Sequence, residues 1–427
     1  MSTAEKNFAE KTFFVSTFLD KYIMQICKEK FKKRSQKHNL KIIRFLFFLS
    51  SKYVIFRYLV TDQYFEKRFP EGERSTMSMR KIGVLTSGGD SPGMNAAVMS
   101  VARSAALYGI PLIGVKRGYN GLLRKSSNLK DDLQELTMEL VLDIADEPGT
   151  YLRTARCLEF KEKKVQEKAI KTLKNMQIDG LVVIGGDGSF RGAQALCNLG
   201  FPCIGIPGTI DNDLPYTEIS LGYDTAVNVC VEAIRKIRAC SRSHDRPAVV
   251  EVMGRHCGDI ALTAAVSTGS EIVVCPEVPW TVEGVALQLR NQLDRGNTRA
   301  TIVVAEGCWE AMAPFDLYSF LTSHGKPCYP EEPMSAVRFA SVMKRMCGMV
   351  EARANVIGYV QRGAEPTARD SAFAFEAGNL AVRLLRDGIS NQVIGMQKGQ
   401  VMYMPIEKAL KVQKKFNKEL FDLVNSL

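Results

Sequence analysis

The sequence predicts an α/β protein made of two doubly wound parallel-sheet domains. Three observations carry this expectation. Short, near-continuous Val/Ile runs recur along the chain, and strands with that composition are buried on both faces, as in a parallel sheet covered by helices. The runs alternate with helical stretches, and most end in Gly or Pro. Finally, there are more strand–helix units than one sheet usually holds, so the chain divides into two.

In chain order, the apolar run KIGVLTSGG (81–89) reads as a strand, followed by a helix from Met94 to Tyr108 and a second strand at PLIGVKRG (111–118). A helix at Lys163–Met176 leads to the strand DGLVVIGG (179–186), a helix at Gly192–Leu199 and the strand CIGIPG (203–208). The pattern continues with a helix at Tyr223–Ala239, the strand AVVEVMG (248–254), a helix at Gly258–Thr268 and the strand EIVVCPE (271–277). ATIVVAEG (300–307) and ANVIGYVQ (354–361) complete the strands.

At 427 residues, 46% hydrophobic and 24% charged, the composition is that of an ordinary globular chain. It excludes a disulfide-stapled mini-protein, a coiled coil and a low-complexity chain. The net charge of +11 is unevenly placed. Residues 1–80 hold 17 Lys/Arg against 8 Asp/Glu, whereas the remainder holds 40 against 38. A basic excess confined to one end argues against a nucleic-acid-binding body. The 11 cysteines are scattered singly with no C-x-x-C pair, and there are only 4 His. That usage argues against zinc and suits reduced thiols in the cytoplasm.

The most apolar stretch, Ile42 to Val60, is interrupted by Arg44, Lys52 and Arg57, so it supplies no uncharged membrane span. Its cations and aromatics would also suit an interfacial helix. The change at Met79-Arg80 from irregular basic sequence to a clean strand points to Met77 or Met79 as the true start, with residues 1–78 as an extension.

Three polar loops follow strands. In GVLTSGGDSPGMNAA (83–97), Gly88 and Gly89 let backbone approach an anion at a helix N-terminus. The Lys-Ser/Thr of a Walker loop is missing, and the same junction serves equally as a structural turn. In VVIGGDGSFRGA (182–193), Gly185, Gly186 and Gly188 surround Asp187, a carboxylate able to hold Mg²⁺ directly or through water. In GIPGTIDNDLP (205–215), Asp211 and Asp213 lie two apart, which suits a proton acceptor beside a group that steers metal or substrate, or else an Asx turn. Arg156, Arg246, Arg255, Arg353 and Arg362 stand near strand ends or glycines, where guanidinium forks clamp phosphates.

Taken in order, TSGGDSPGMNA, GGDGS, PGTIDND, VVEVMGRHCGD and YVQRG strongly resemble the bacterial-type 6-phosphofructokinases from about Lys81 to Met404. The resemblance implies two Rossmann-like domains, one binding nucleotide (79–222 plus 362–411) and one binding sugar phosphate (223–361 plus 412–427). It implies ATP-dependent phosphorylation of fructose 6-phosphate on its 1-hydroxyl, in glycolysis. Asp211 would be the base, with Thr209, Arg255, Gly89 and Arg156 holding the transferring phosphoryl group. Asp187 would place Mg²⁺; Gly186, Gly188 and Ser189 would line the nucleotide phosphates, with Tyr119 and Cys157 nearby. Ile210, Asp213, Met253, Gly254, Glu306, Tyr359 and Arg362 fall at sugar-site positions, and Arg246 and Arg353 would reach the 6-phosphate from a neighbouring subunit of a homotetramer.

Pyrophosphate-dependent relatives carry Asp in place of Gly188 and Lys in place of Gly208, so the two glycines favour ATP. The alternatives are the pyrophosphate-dependent reaction and a non-catalytic effector-binding relative; the intact Asp187, Asp211 and Arg255 oppose the second. Three departures stand out. Tyr359 replaces a His, and Met99 and Asn297 replace cations of an effector site whose Arg103, Arg238, Glu271 and Arg295 remain. Also, 46 residues separate Glu306 from Arg353, about twice the usual connection. Neither nucleic acid nor an integral membrane span is expected.

Overall fold

A computed structural model describes residues 79–123, 132–323, 325, 333–349 and 351–426. The expectations for residues 1–78, including the 42–60 stretch and Met77, lie outside the described residues. The strands form two sheets. The first contains β1 (Ile82–Ser87), β2 (Leu112–Val115), β3 (Leu133–Glu135), β4 (Gly180–Gly185) and β5 (Cys203–Pro207). The second contains β6 (Ala248–Val252), β7 (Ile272–Val274), β8 (Thr301–Ala305) and β9 (Arg353–Val356). β10 (Gln392–Gln397) and β11 (Gln400–Pro405) return to the first sheet.

The first sheet runs β11-β10-β5-β4-β1-β2-β3, parallel except for its two antiparallel edges. Strand order reverses between β1 and β4, the switch point where a doubly wound sheet opens a crevice at its carboxyl edge. The second sheet, β7-β8-β6-β9, is parallel throughout. The Val/Ile runs dictate this burial: Leu181, Val182, Val183 and Ile184 of β4 are all fully buried. Full burial of each such side chain contributes about 1.5–3 kcal/mol.

The longer helices are α1 (Met94–Leu107), α2 (Lys163–Asn175), α3 (Asp187–Asn198), α4 (Tyr223–His244), α5 (Asp259–Thr268), α6 (Val282–Asp294), α7 (Ala336–Met346) and α8 (Ala368–Arg386). α1 and α8 touch backbone to backbone at Gly378, where a Cβ would lie 2.6 Å from the Ser100 side chain. Ser100 Oγ seals that crossing by donating to the Phe375 carbonyl.

Three boundaries differ from the sequence reading. α3 begins at Asp187 rather than Gly192, so GGDGS is itself a helix start. α4 runs five residues beyond Ala239, through His244, to a left-handed Asp245. The run 354–361 is not one strand, because β9 stops at Val356 and Gly358–Arg362 turns as a 3₁₀ helix. The long connection after Glu306 is a structural addition to the second core. It carries α7, whose Phe339, Val342 and Met343 are buried, and Trp280, Trp309 and Phe339 form one aromatic cluster. Among the described residues, no helix is long and apolar enough to cross a membrane.

Candidate active site

Both glycine loops sit at the switch point, one on either side. β1 ends at Ser87 and β4 at Gly185, and the two are paired in register. Gly185 cannot be another residue there, because a Cβ would lie 2.4 Å from the Ser87 carbonyl oxygen. Ser189, in the first turn of α3, donates its hydroxyl to that same carbonyl at 3.1 Å. The α3 N-terminus thus meets the SGG loop, and its first N–H groups supply the positive end of the helix dipole to an anion. Thr154 donates to the Gly88 carbonyl and Thr86 to the Arg153 carbonyl, which fastens the segment bearing Arg156 and Cys157 beside the loop.

Tyr119 needs a correction as a ligand contact. Its ring is 3% exposed, stacks on Phe160 and donates its hydroxyl to the Ser189 carbonyl at 2.6 Å. The phenol supports the α3 start from behind, and its only polar atom is already committed. Burial also holds its pKa well above the usual phenol value. Ile210 is likewise fully buried, in the core of the second sheet, so only its backbone faces the loop.

The carboxylate pair occupies the loop after β5. Asp211 is 8% exposed, and Oδ1 of both Asp211 and Asp213 is buried without a hydrogen-bond partner. The turn between them is held by Asn212 in the left-handed region (φ 51°), a conformation Asn tolerates. Asn212 Oδ1 accepts from the Ser220 backbone N–H at 3.0 Å, and Ser220 Oγ donates to the Thr209 carbonyl. Thr209 Oγ1 accepts from the Asp211 N–H at 3.2 Å.

Cations converge on the pair from the second half of the chain. Arg362 donates to the Asp90 carbonyl at 2.6 Å, and its other terminal nitrogen lies 4.0 Å from Asp211 Oδ1. Arg255, itself left-handed (φ 57°), donates its backbone N–H to Glu306 Oε1 at 2.9 Å. The preceding Gly254 has φ 138°, and a Cβ on it would strike the Cys257 carbonyl at 2.4 Å, so the turn requires glycine. Burial first, then the Asp213 carboxylate, raise the Asp211 carboxyl to about 6, against the pull of Arg362 and Arg255. Asp213 is raised by burial and by Asp187, with Lys414 and Arg255 opposing. Gly89, Asp187, Asp211, Asp213, Arg255, Glu306 and Arg362 therefore share one electrostatic neighbourhood.

That arrangement suits phosphoryl transfer, which asks for charge neutralisation and a positioned base. The Phosphofructokinase family model matches residues 81–385. The chain belongs to the phosphofructokinase family. An ATP-dependent 6-phosphofructokinase of Clostridioides difficile is 45% identical over 349 residues, covering 82% of this chain and 99% of that relative. One from Alkaliphilus metalliredigens is 42% identical with the same coverage. Among solved structures, phosphofructokinase from Saccharomyces cerevisiae superposes with a TM-score of 0.64 at 31% identity. It covers 78% of this chain, which spans 45% of the yeast chain's length. A pyrophosphate-dependent phosphofructokinase from Marinobacter aquaeolei (TM-score 0.64, 22% identity, 79% of this chain and 86% of that one) shares the fold.

The remaining sequence candidates of this phosphofructokinase lie elsewhere. Arg246 and Arg353 are at the amino ends of β6 and β9, and both pair with the Glu351 carboxylate. Tyr359 is 83% exposed on the 3₁₀ turn. Arg238 pairs with Glu271, which also accepts from the Thr301 N–H, while Arg103 lies over the Phe375 ring and Arg295 caps α6. Sequence reading missed Asp90, whose carbonyl anchors Arg362, and Lys414, which faces Asp213. Asp90 stood inside the SGGD motif, but nothing in a sequence pattern marks a lysine near the C-terminus as a neighbour of residue 213.

The Asp211 environment sets a pH dependence. A base must be ionised, and a pKa of about 6 leaves Asp211 mostly ionised at pH 7.5 and mostly protonated at pH 5. We expect kcat/KM for the sugar to fall about tenfold per pH unit below 6, measured in initial rates between pH 5 and 8.5. A flat profile down to pH 5 would remove Asp211 from the role of base.

Proposed function

We propose that this phosphofructokinase transfers the γ-phosphoryl group of ATP to the 1-hydroxyl of fructose 6-phosphate, giving fructose 1,6-bisphosphate. The observation that carries the reading is the buried Asp211 carboxylate, with an oxygen free of hydrogen bonds, facing Arg362 and Arg255 beside a helix start. Asp211 takes the hydroxyl proton as the sugar oxygen attacks phosphorus. Arg255, Arg156, Thr209 and the Gly89 backbone hold the transferring group. Gly186, Gly188 and Ser189 bind nucleotide phosphates with Cys157 and Arg156 alongside, and Asp213, Met253, Gly254, Glu306 and Arg362 orient the sugar. The first sheet with its helices then forms the nucleotide half, and the second the sugar-phosphate half.

A divalent cation fits the oxygen set that Asp187 and Asp213 present. Asp187 is half-exposed in the first turn of α3, held by Arg191 at 2.7 Å, and Asp213 Oδ1 lacks a partner. Mg²⁺ takes one or two carboxylates together with substrate phosphates. Bound there, it would neutralise charge on the nucleotide phosphates. We further read the enzyme as a cytoplasmic homotetramer, with Arg103, Arg238, Glu271 and Arg295 as what remains of an effector site.

Donor choice rests on two glycines. Around Gly188 there is open space, which a nucleotide can fill. At Gly208 a Cβ would lie 3.0 Å from Ile184 and from Met94, so the lysine of pyrophosphate users has no room without repacking. With fructose 6-phosphate and Mg²⁺ in a coupled assay, ATP is expected to support turnover and pyrophosphate to give none. Comparable rates with the two donors would overturn this choice.

A further inference from the structure

We infer that Lys414 is a positioning residue for phosphoryl transfer: its ammonium clamps the loop carrying Asp211 to the loop carrying Arg255. The inference rests on the proposed reaction and adds a residue to it. Lys414 lies on the last crossing between the sheets. Before it, Ile406 is buried in the first core; after it, Phe416, Leu420 and Phe421 pack on the second, and Asn425 exchanges hydrogen bonds with β7 at Val273.

An ammonium has three N–H donors, and here each has a separate acceptor. One goes to the Asn212 carbonyl at 2.8 Å, between the two aspartates. One goes to Asp259 Oδ2 at 2.8 Å, at the start of α5, and one to Cys257 Sγ, on the turn that follows Arg255. Asp259 Oδ2 also accepts from Asn212 Nδ2 at 3.1 Å, closing the bridge. Cys257, Asp259 and Glu277 would suit a metal ion by spacing, but the ammonium already occupies the Cys257 and Asp259 acceptors.

The charge states agree with the geometry. Burial disfavours the ammonium, yet the Asp259 carboxylate that it bonds holds its pKa above the ordinary lysine value. Burial pushes the Cys257 thiol up to about 12, so sulfur accepts as a neutral group. The same ammonium opposes the upward shift of Asp213. A cation that fixes a left-handed carbonyl between two buried carboxylates therefore sets both where Asp211 points and how far it stands from Arg255.

Among the described residues, no hydrogen bond or ion pair of the clamp runs to the nucleotide loops after β1 and β4, and that gives the test. In the full chain, Lys414→Met should lower kcat roughly 10- to 100-fold, the scale expected for misplacing catalytic groups by about 1 Å. KM for ATP should stay within about twofold of wild type. Lys414→Arg should recover a clear part of the loss, because the cation is restored. Lys411→Met, which breaks only an exposed pair with Glu407, should behave as wild type. If Lys414→Met does not fold, Asp259→Asn weakens the same clamp and should lower kcat in the same direction. A folded Lys414→Met protein with wild-type kcat, or an Arg variant as poor as the Met variant, overturns the inference. Should wild type itself fail to phosphorylate fructose 6-phosphate, the failure lies with the proposed reaction and not with Lys414.

Discussion

Asp211→Asn is expected to lower kcat by ~10²–10⁴-fold, the usual contribution of a general base, while leaving the protein folded and at least as stable at neutral pH. The two halves of this result have the same physical origin. Burial and Asp213 raise the carboxyl to about 6, above its unfolded value, so ionisation is less favourable in the folded chain. Above pH 6 the native state therefore carries the cost of a buried charge. A shift of about two units corresponds to about 3 kcal/mol at most. The cost fades as pH falls from 6 toward the ordinary value of 3.8 and is gone only below it, where the carboxyl is protonated in both states. Asparagine keeps the shape and removes the charge. Thermal unfolding at pH 8 should show a midpoint equal to or above wild type, with the advantage shrinking at pH 5. A loss of kcat smaller than tenfold would assign the proton to another group. A large loss accompanied by a fall in the midpoint at pH 8 would mean that Asp211 is a structural residue.

How much of this was legible beforehand follows from which forces are local. The buried strands announced themselves because a parallel strand covered on both faces must be apolar along its length, as in GLVVIG and TIVVA. The β10–β11 hairpin was missed, although Lys398-Gly399 (φ 52° and 68°) supplies the two left-handed residues such a turn demands. Its strands, QVIGMQ and QVMYMP, open on glutamine and mix Gly, Met and Tyr with Val and Ile, so neither shows the continuous Val/Ile run of the other strands. α7 and α8 carry none of the glycine-loop motifs that mark the site. In the site, the residues on loops after β1, β4, β5 and β6 were found from glycine and carboxylate patterns. What those patterns could not reveal is orientation. Tyr119 turns inward because its hydroxyl finds the Ser189 carbonyl, and Lys414 joins two loops through a contact 202 residues away in sequence.

Mixing two inactive variants is expected to restore about a quarter of wild-type activity if Arg246 and Arg353 serve a sugar phosphate bound by the neighbouring subunit. Met253, Gly254 and Arg255 follow the carboxyl end of β6, and Glu306 follows that of the adjacent β8. Arg246 precedes the amino end of β6, and Arg353 opens β9 opposite Ala248. Five strand residues separate the two ends, about 17 Å at the usual rise. No arginine side chain covers that length. Yet Arg246 and Arg353 converge on one anionic group, the Glu351 carboxylate, as two guanidinia would on a phosphate. If they bind the 6-phosphate, it belongs to a sugar in the neighbouring subunit, and a two-fold interface makes the exchange reciprocal. Asp211→Asn subunits are unfolded, mixed equally with Arg246→Ala subunits and refolded. With random pairing about half the pairs are hybrids, and in each hybrid one of two sites has both an intact Asp211 and an intact Arg246, which gives about one quarter overall. Activity that stays at the level of the parents, with hybrids verified by a tag on one variant, would return Arg246 to its own subunit.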